Sequence, residues 1–337
     1  MIIPGRYLLF LGETVNLLDA KTGAGLLHWR PELCAGQWRL PGGTLDLGLP
    51  DLTPAEALAA GARTLVVGVA PFGGGFAPAW VTAIVAALDA GLDVASGMHT
   101  RLASVPEIAE AARRNGRQLY DVRHADHAFP VASGRKRRGR RLLAVGTDCA
   151  VGKKYTALVI ARDLQASGLK ASFRATGQTG ILIAGRGVAI DAVVADFISG
   201  AAEWLSPDND EDHWDVVEGQ GSLFHPAYAG VSLGLLHGSQ PDALVLCHEA
   251  GRTHIDGYPD YPLPSLRDCI DFNLQAARLT NPQVRLAGIS LNTSRLAPEA
   301  AQRAMEAVRD EFGLPCFDPV ATGAMALVAH LQAEFGT

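Results

Sequence analysis

At 337 residues, with 48% hydrophobic and 19% charged residues, the chain is long enough to bury two cores, and two domains are expected. Its formal net charge of −6 offers no overall positive field for a polyanion, which excludes nucleic acid as an expected partner. Abundant glycine, 37 residues, beside a 7% aromatic content suits many short strand-to-helix turns and places the chain in the α/β class.

The N-terminal stretch MIIPGRYLLFLGE carries an apolar run too short to span a bilayer and no cleavage site after it, so neither export nor a membrane is expected. Buried parallel strands are predicted at Tyr7 to Leu11 and at Thr64 to Ala70, the second running into Pro71 and a glycine cluster. Helical spacing over Ala77 to Ala90, a strand at LDVAS and a helix closed by Gly116 continue a βαβ rhythm to about Val122. The first domain is set at residues 1–131, a basic linker at 132–141 (ASGRKRRGRR), and the second domain at 142–337.

Beyond the linker the rhythm resumes with strand RLLAV, loop GTDCAVG, a helix from Lys153 to about Leu164 and strand KASFRAT. Further strands are predicted at Asp215 to Val217, Asp242 to Cys247 and Val284 to Leu291. Helices are predicted at Asp191 to Trp204, Leu266 to Arg278, Pro298 to Glu311 and Gly323 to Phe335. Five scattered cysteines, with no CxxC pair, suggest neither a zinc site nor a disulfide framework, and a reducing cytoplasm fits them.

Strand, loop and helix together make GTDCAVGK a phosphate loop. In such a loop, glycines free consecutive N–H groups to point at phosphate oxygens, while a helix N-terminus and a lysine add positive charge. The expected phosphate or coenzyme site comprises Gly146, Thr147, Asp148, Gly152, Lys153, Lys154, Tyr155 and Thr156. The loop is one residue longer than the commonest form and resembles that of dethiobiotin synthetase. Lys154 stands where a Ser or Thr hydroxyl normally holds Mg²⁺, and Thr156 lies about 200° further round the helix. The motif therefore supports phosphate binding better than ATP hydrolysis.

Downstream, WDVVEGQG delivers Glu218 to a strand end facing the same edge, either as a metal-positioning acid or as a cap for the following turn, with Asp196 a weaker candidate. ALVLCHEA brings His248 and Glu249 to the next strand end, followed by a polar loop with Arg252, His254 and Asp256. In the first domain, APFGGGFAP lacks a dinucleotide fingerprint; with SGMHTRL, which carries His99 and Arg101, it is a secondary candidate for lining a cleft. The basic run Arg135 to Arg141 is expected to be a solvated linker.

Three stretches, GTDCAVGKK, EGQGSLFHPAYAGVSLGLLHGSQPDALVLCHEAGRTH and YPLPSL, together resemble the bacterial D-glutamate N-acetyltransferase family. The resemblance covers most of the second domain. It implies a Rossmann-like N-terminal domain, a P-loop NTPase-like C-terminal domain, and acetylation of the D-glutamate amine with acetyl-coenzyme A (acetyl-CoA). A cytoplasmic homo-oligomer acting on small molecules is the expected state. Acetyl transfer from a thioester to an amine is downhill without ATP, so the loop is expected to cradle the coenzyme's phosphate. Glu218, His225 and His254 are the candidates for acid-base work, Arg252 is the candidate clamp for the substrate's carboxylates, and His248 and Glu249 are further substrate-binding candidates. Cys149, near a helix N-terminus, is expected to have a lowered thiol pKa, though a small loop residue is its more economical role. Any metal ligand stays unassigned. The alternatives are an ATP- and Mg-dependent ligase or kinase of the dethiobiotin-synthetase type, and a non-catalytic nucleotide-binding regulator.

Overall fold

The computed structural model describes residues 3–17, 19–69, 75–124 and 128–336. The chain forms two compact units, one of Met1–His127 with Gly177–Ala192, the other of Ala128–Thr176 with Val193–Thr337. In the first, β1 (Tyr7–Gly12), α1 (Lys21–Trp29), β2 (Cys34–Arg39), α2 (Pro54–Ala59), β3 (Thr64–Val67), α3 (Pro78–Asp89), β4 (Asp93–Ser96), α4 (Pro106–Asn115) and β5 (Leu119–Asp121) follow in order. Their strands make one parallel sheet, β2-β1-β3-β4-β5. All of β1 and β3 is buried, as strands covered on both faces must be.

Local chemistry sets several of the turns. Pro54, Pro78 and Pro106 open their helices at the position where a missing N–H costs nothing, and Thr53 and Glu56 complete a capping box. Strand β3 stops three residues short of the predicted Ala70; residues 70–74, most of the expected glycine cluster, lie outside the described residues. His99 and Arg101 are exposed beyond the end of β4.

The second unit holds β6 (Arg140–Gly146), α5 (Lys153–Ala166) and β7 (Ala171–Arg174), after which α6 (Gln178–Ala184) belongs to the first unit. There Thr179 meets Thr22 at 3.2 Å, the Ile183 carbonyl accepts from Arg30, and Gln178 accepts from Arg123. The rest of the second unit is α7 (Ile198–Leu205), β8 (Trp214–Val217), α8 (Ala229–Ser239), β9 (Ala243–Glu249), β10 (His254–Ile255), β11 (Tyr258–Pro262), α9 (Leu266–Arg278), β12 (Arg285–Asn292), α10 (Pro298–Phe312), β13 (Cys316–Phe317) and α11 (Met325–Phe335). Its main sheet, β13-β12-β9-β6-β8-β7, is parallel throughout, and β10 and β11 form a separate antiparallel hairpin. The phosphate-loop strand β6 is therefore central, flanked by β8 and β9, which carry Glu218 and His248 to the same edge.

Two expectations change here. The helix predicted from Asp191 begins at Ile198, because the stripe Ile198, Ala201, Ala202 and Leu205 starts only there and Val194 is extended. The basic run is not a solvated linker along its length. Arg141 is fully buried, its guanidinium donating to the carbonyls of Arg137, Arg138 and Pro207 at 3.0 Å each and of Gly139 at 3.2 Å. Arg137, also buried, donates to Gly238 and Ser239 at the end of α8. Irregular backbone beside a buried strand leaves carbonyls that water cannot reach, and these arginines satisfy them.

Arg141→Met is expected to strand those carbonyls and destabilise the protein by about 3–5 kcal/mol, whereas the exposed Arg135→Ala stays close to wild type. Urea denaturation followed by circular dichroism measures the difference, and equal midpoints would refute the structural role.

Candidate active site

Strand β6 ends at Gly146, where a side chain would crowd the loop: a Cβ there would lie 2.9 Å from Lys153 Nζ and 3.1 Å from the Asp148 carbonyl. Gly219 is barred from a side chain more strictly, since its Cβ would sit 1.7 Å from the Ala144 carbonyl oxygen. This close approach lets the chain leaving β8 pass against β6. The loop then turns through two left-handed residues, Ala150 (φ 55°) and Gly152 (φ 107°), before α5 begins at Lys153. Lys153 is buried, and its ammonium folds back to donate to the Asp148 carbonyl at 2.6 Å. Burial lowers its pKa. With the first N–H groups of α5, which have no intrahelical acceptor, it gathers hydrogen-bond donors at one point of the loop.

Asp148, fully buried inside the loop, takes three different donors. Its Oδ1 accepts from Cys149 N–H at 2.6 Å, and its Oδ2 accepts from Arg252 Nη1 at 2.7 Å and Asp256 N–H at 2.8 Å. Arg252 also donates to the Cys149 carbonyl at 3.1 Å and, through Nε and Nη2, to Glu249 Oε2. Four of the five guanidinium hydrogens are thus committed. Arg252 accordingly is not available as the bidentate carboxylate clamp that the sequence suggested; it locks the loop. Glu249 is an ion-pair partner of Arg252 and of Arg295 (2.9 Å) rather than an open substrate contact.

The three histidines differ in what they can do. His225 is buried against Tyr228 (ring centroids 4.4 Å apart, stacked) and Tyr258 (5.2 Å). Its Nδ1 accepts the Ala227 N–H at 3.1 Å. A backbone amide can only donate, so the neutral ring must carry its proton on Nε2 and present a donor there. His248 Nδ1 instead meets the Thr147 hydroxyl at 3.0 Å, a group that accepts or donates, so its Nε2 can be a proton acceptor. Burial lowers the pKa of both rings and keeps them neutral near pH 7. His254 is exposed on the β10–β11 hairpin and bonded to the Thr253 hydroxyl, lining an open pocket with Arg252, Asp256 and Tyr258.

The other expected residues fall into clear places. Glu218 is buried and accepts the Thr176 N–H at 3.0 Å, while its own carbonyl takes the Thr176 hydroxyl at 2.6 Å, a structural engagement of the chain leaving β7. Thr156 turns inward, donating to the Gly152 carbonyl and meeting Ser290 Oγ at 2.7 Å. Lys154 is half-buried with its ammonium over the Tyr155 ring, 5.2 Å from the centroid. Asp196 is exposed in a short turn before α7. The Cys149 thiol pKa is raised rather than lowered, because burial outweighs the Lys153 ammonium.

Among the described residues, ligand atoms of Asp148, Cys149 and His225 lie within 4.8 Å of one another. The Asp148 carboxylate there is already neutralised by a guanidinium and two amides, so the donor set suits a hydrogen-bonded cluster better than a cation. The sequence reading did not single out Ser222, whose hydroxyl donates to the Thr147 carbonyl at 3.0 Å, nor Gln220, which donates to Thr176. Their position in the glycine turn after Glu218 was the available signal.

Two family profiles match the chain. One, described as a domain of unknown function (DUF1611_C) P-loop domain, covers residues 130–328; the other, a DUF1611_N Rossmann-like domain, covers residues 36–125. A D-glutamate N-acetyltransferase from Tritonibacter scottomollicae is 52% identical over 98% of this chain and all of its own length. One from a Pseudoalteromonas species is 48% identical over the same shares. The crystal structure of a DUF1611 family protein from Anabaena variabilis superposes with a TM-score of 0.87 at 34% identity, covering 98% of this chain and all of that one.

Because burial disfavours the charged form of His225 and His248, the unfolded chain binds more protons than the folded one below the ordinary histidine value of 6.5. Stability is therefore expected to fall as pH drops through that value. His225→Gln should flatten the slope in urea midpoints collected between pH 7.5 and 5.5, roughly one unit either side of it; an unchanged slope would contradict the neutral assignment.

Proposed function

The chain belongs to the DUF1611 family that includes the D-glutamate N-acetyltransferases, and from that premise we propose that it transfers an acetyl group from acetyl-CoA to the amine of D-glutamate. The observation that carries the choice of donor is the loop itself. It offers a buried lysine and a helix N-terminus for phosphate, yet has Lys154 where a metal-binding hydroxyl belongs and turns the Thr156 hydroxyl into the core. Such a site suits the diphosphate of a coenzyme whose thioester is already activated.

In the reaction the amine nitrogen attacks the thioester carbonyl, its proton leaves, and the tetrahedral oxygen gains negative charge before the C–S bond breaks to release the coenzyme thiol. His248, neutral and with Nε2 left as acceptor when the Thr147 hydroxyl takes its Nδ1–H, is the group suited to receive the amine's proton. His225, held as an Nε2–H donor by Ala227, is suited to the oxyanion. A covalent acetyl-cysteine is disfavoured, since burial holds the Cys149 thiol protonated and the facing His225 cannot accept its proton at Nε2.

Pure protein given D-glutamate and acetyl-CoA should release free thiol at the same rate with or without Mg·ATP. ADP formation with no acetylated product would overturn the assignment. His248→Ala is expected to lower kcat by about 10²- to 10⁴-fold, with His254→Ala and Cys149→Ala near wild type. The acid limb of the wild-type kcat/KM profile should lie below the ordinary histidine value of 6.5.

A further inference from the structure

In the second unit, a cavity of about 690 Å³ opens where β12 and β13 end, lined by Asn292, Leu296, Ala301, Met305, Phe317 and Met325 among others. None of the residues assigned so far to phosphate or catalysis lines it. Its size is that of a small-molecule site, and its lining, apolar over most of its area with Asn292, Gln302 and Arg309 among the polar groups, suits a flat ring better than a dicarboxylate.

The cavity is built into the fold. Asp318, itself buried, accepts the Thr293 N–H and hydroxyl with one oxygen and the Val320 and Ala321 N–H groups with the other, stitching the loops after β12 and β13 together. The start of α11 is fastened to the phosphate-loop helix, Ala324 N–H donating to Asp163 Oδ2 at 2.7 Å. The sheet places the cavity on the same C-terminal edge as the loop, since β12 is two strands from β6 and β13 three. At about 4.8 Å per strand that is roughly 10–14 Å, a separation that a ribose and a purine bridge.

Resting on the acetyl-CoA reading, we propose that this cavity takes the adenosine 3′-phosphate end of the donor while the loop holds its diphosphate. The Asn292 side chain accepts the Ser294 N–H through Oδ1, which orients its amide to present NH₂ beside a carbonyl oxygen, the donor–acceptor pair that an adenine edge recognises. Arg309, on the cavity wall and only loosely paired with Glu306 at 3.9 Å, supplies a cation for the 3′-phosphate.

The test compares acetyl-CoA with S-acetyl-N-acetylcysteamine, a thioester lacking the nucleotide, and CoA with 3′-dephospho-CoA by titration calorimetry. Asn292→Ala and Met305→Trp should each raise the KM for acetyl-CoA and the Kd for CoA by about tenfold or more, with kcat/KM on the truncated donor unchanged. Arg309→Ala should erase the preference for CoA over its 3′-dephospho form. Thermal melting checks that Met305→Trp folds, and Asn292→Ala carries the test if it does not. Wild-type KM and Kd in folded variants would overturn the proposal while leaving the activity standing. A wild-type protein that neither binds CoA nor releases thiol would overturn the donor reading and this cavity assignment together.

Discussion

The buried carboxylate of Asp148 is the constraint on which the phosphate loop depends. A charge out of reach of water is tolerable only when fully paired, and here a guanidinium and two backbone amides supply the pairing. Because Arg252 and Asp256 follow β9 whereas Asp148 follows β6, the same bonds hold two adjacent strand exits in one arrangement. Arg252 in turn donates through Nε and Nη2 to Glu249, so the loop is braced by a chain of ion pairs.

Bracing of this kind decides which groups are left for chemistry. Lys153 lies across the loop, in space that Gly146 leaves open, and its ammonium donates to the Asp148 carbonyl. The histidines are kept neutral by burial, and their roles diverge only through their partners: a backbone amide at His225 Nδ1, a hydroxyl at His248 Nδ1. Two rings of one chemistry thereby become a fixed donor and an available acceptor.

Much of the fold was legible because its signals are local. Continuous apolar runs marked β1, β3, β6, β9 and β12, and Pro78, Pro106 and Pro298 marked helix starts. Short or mixed elements escaped: β2 is interrupted by glycine and glutamine, β13 has two residues, and α6 sits within the second half of the sequence yet packs in the first unit. The basic run misled for a related reason. Arginines read as solvated charge, but Arg137 donates to carbonyls 101 and 102 residues away, and Arg141 ties carbonyls of the run itself to Ser206 and Pro207, 65 and 66 residues away.

By itself the sequence determined the α/β class, the phosphate loop and its missing metal hydroxyl at Lys154, since these rest on neighbouring residues and on the period of buried strands. Tertiary structure alone decided that Arg252 is spent on Asp148, that Glu218 holds Thr176, and which histidine can accept a proton. Those outcomes depend on burial and, for Arg252, Glu218 and His248, on hydrogen-bond partners 104, 42 and 101 positions away in the chain, which no local pattern encodes.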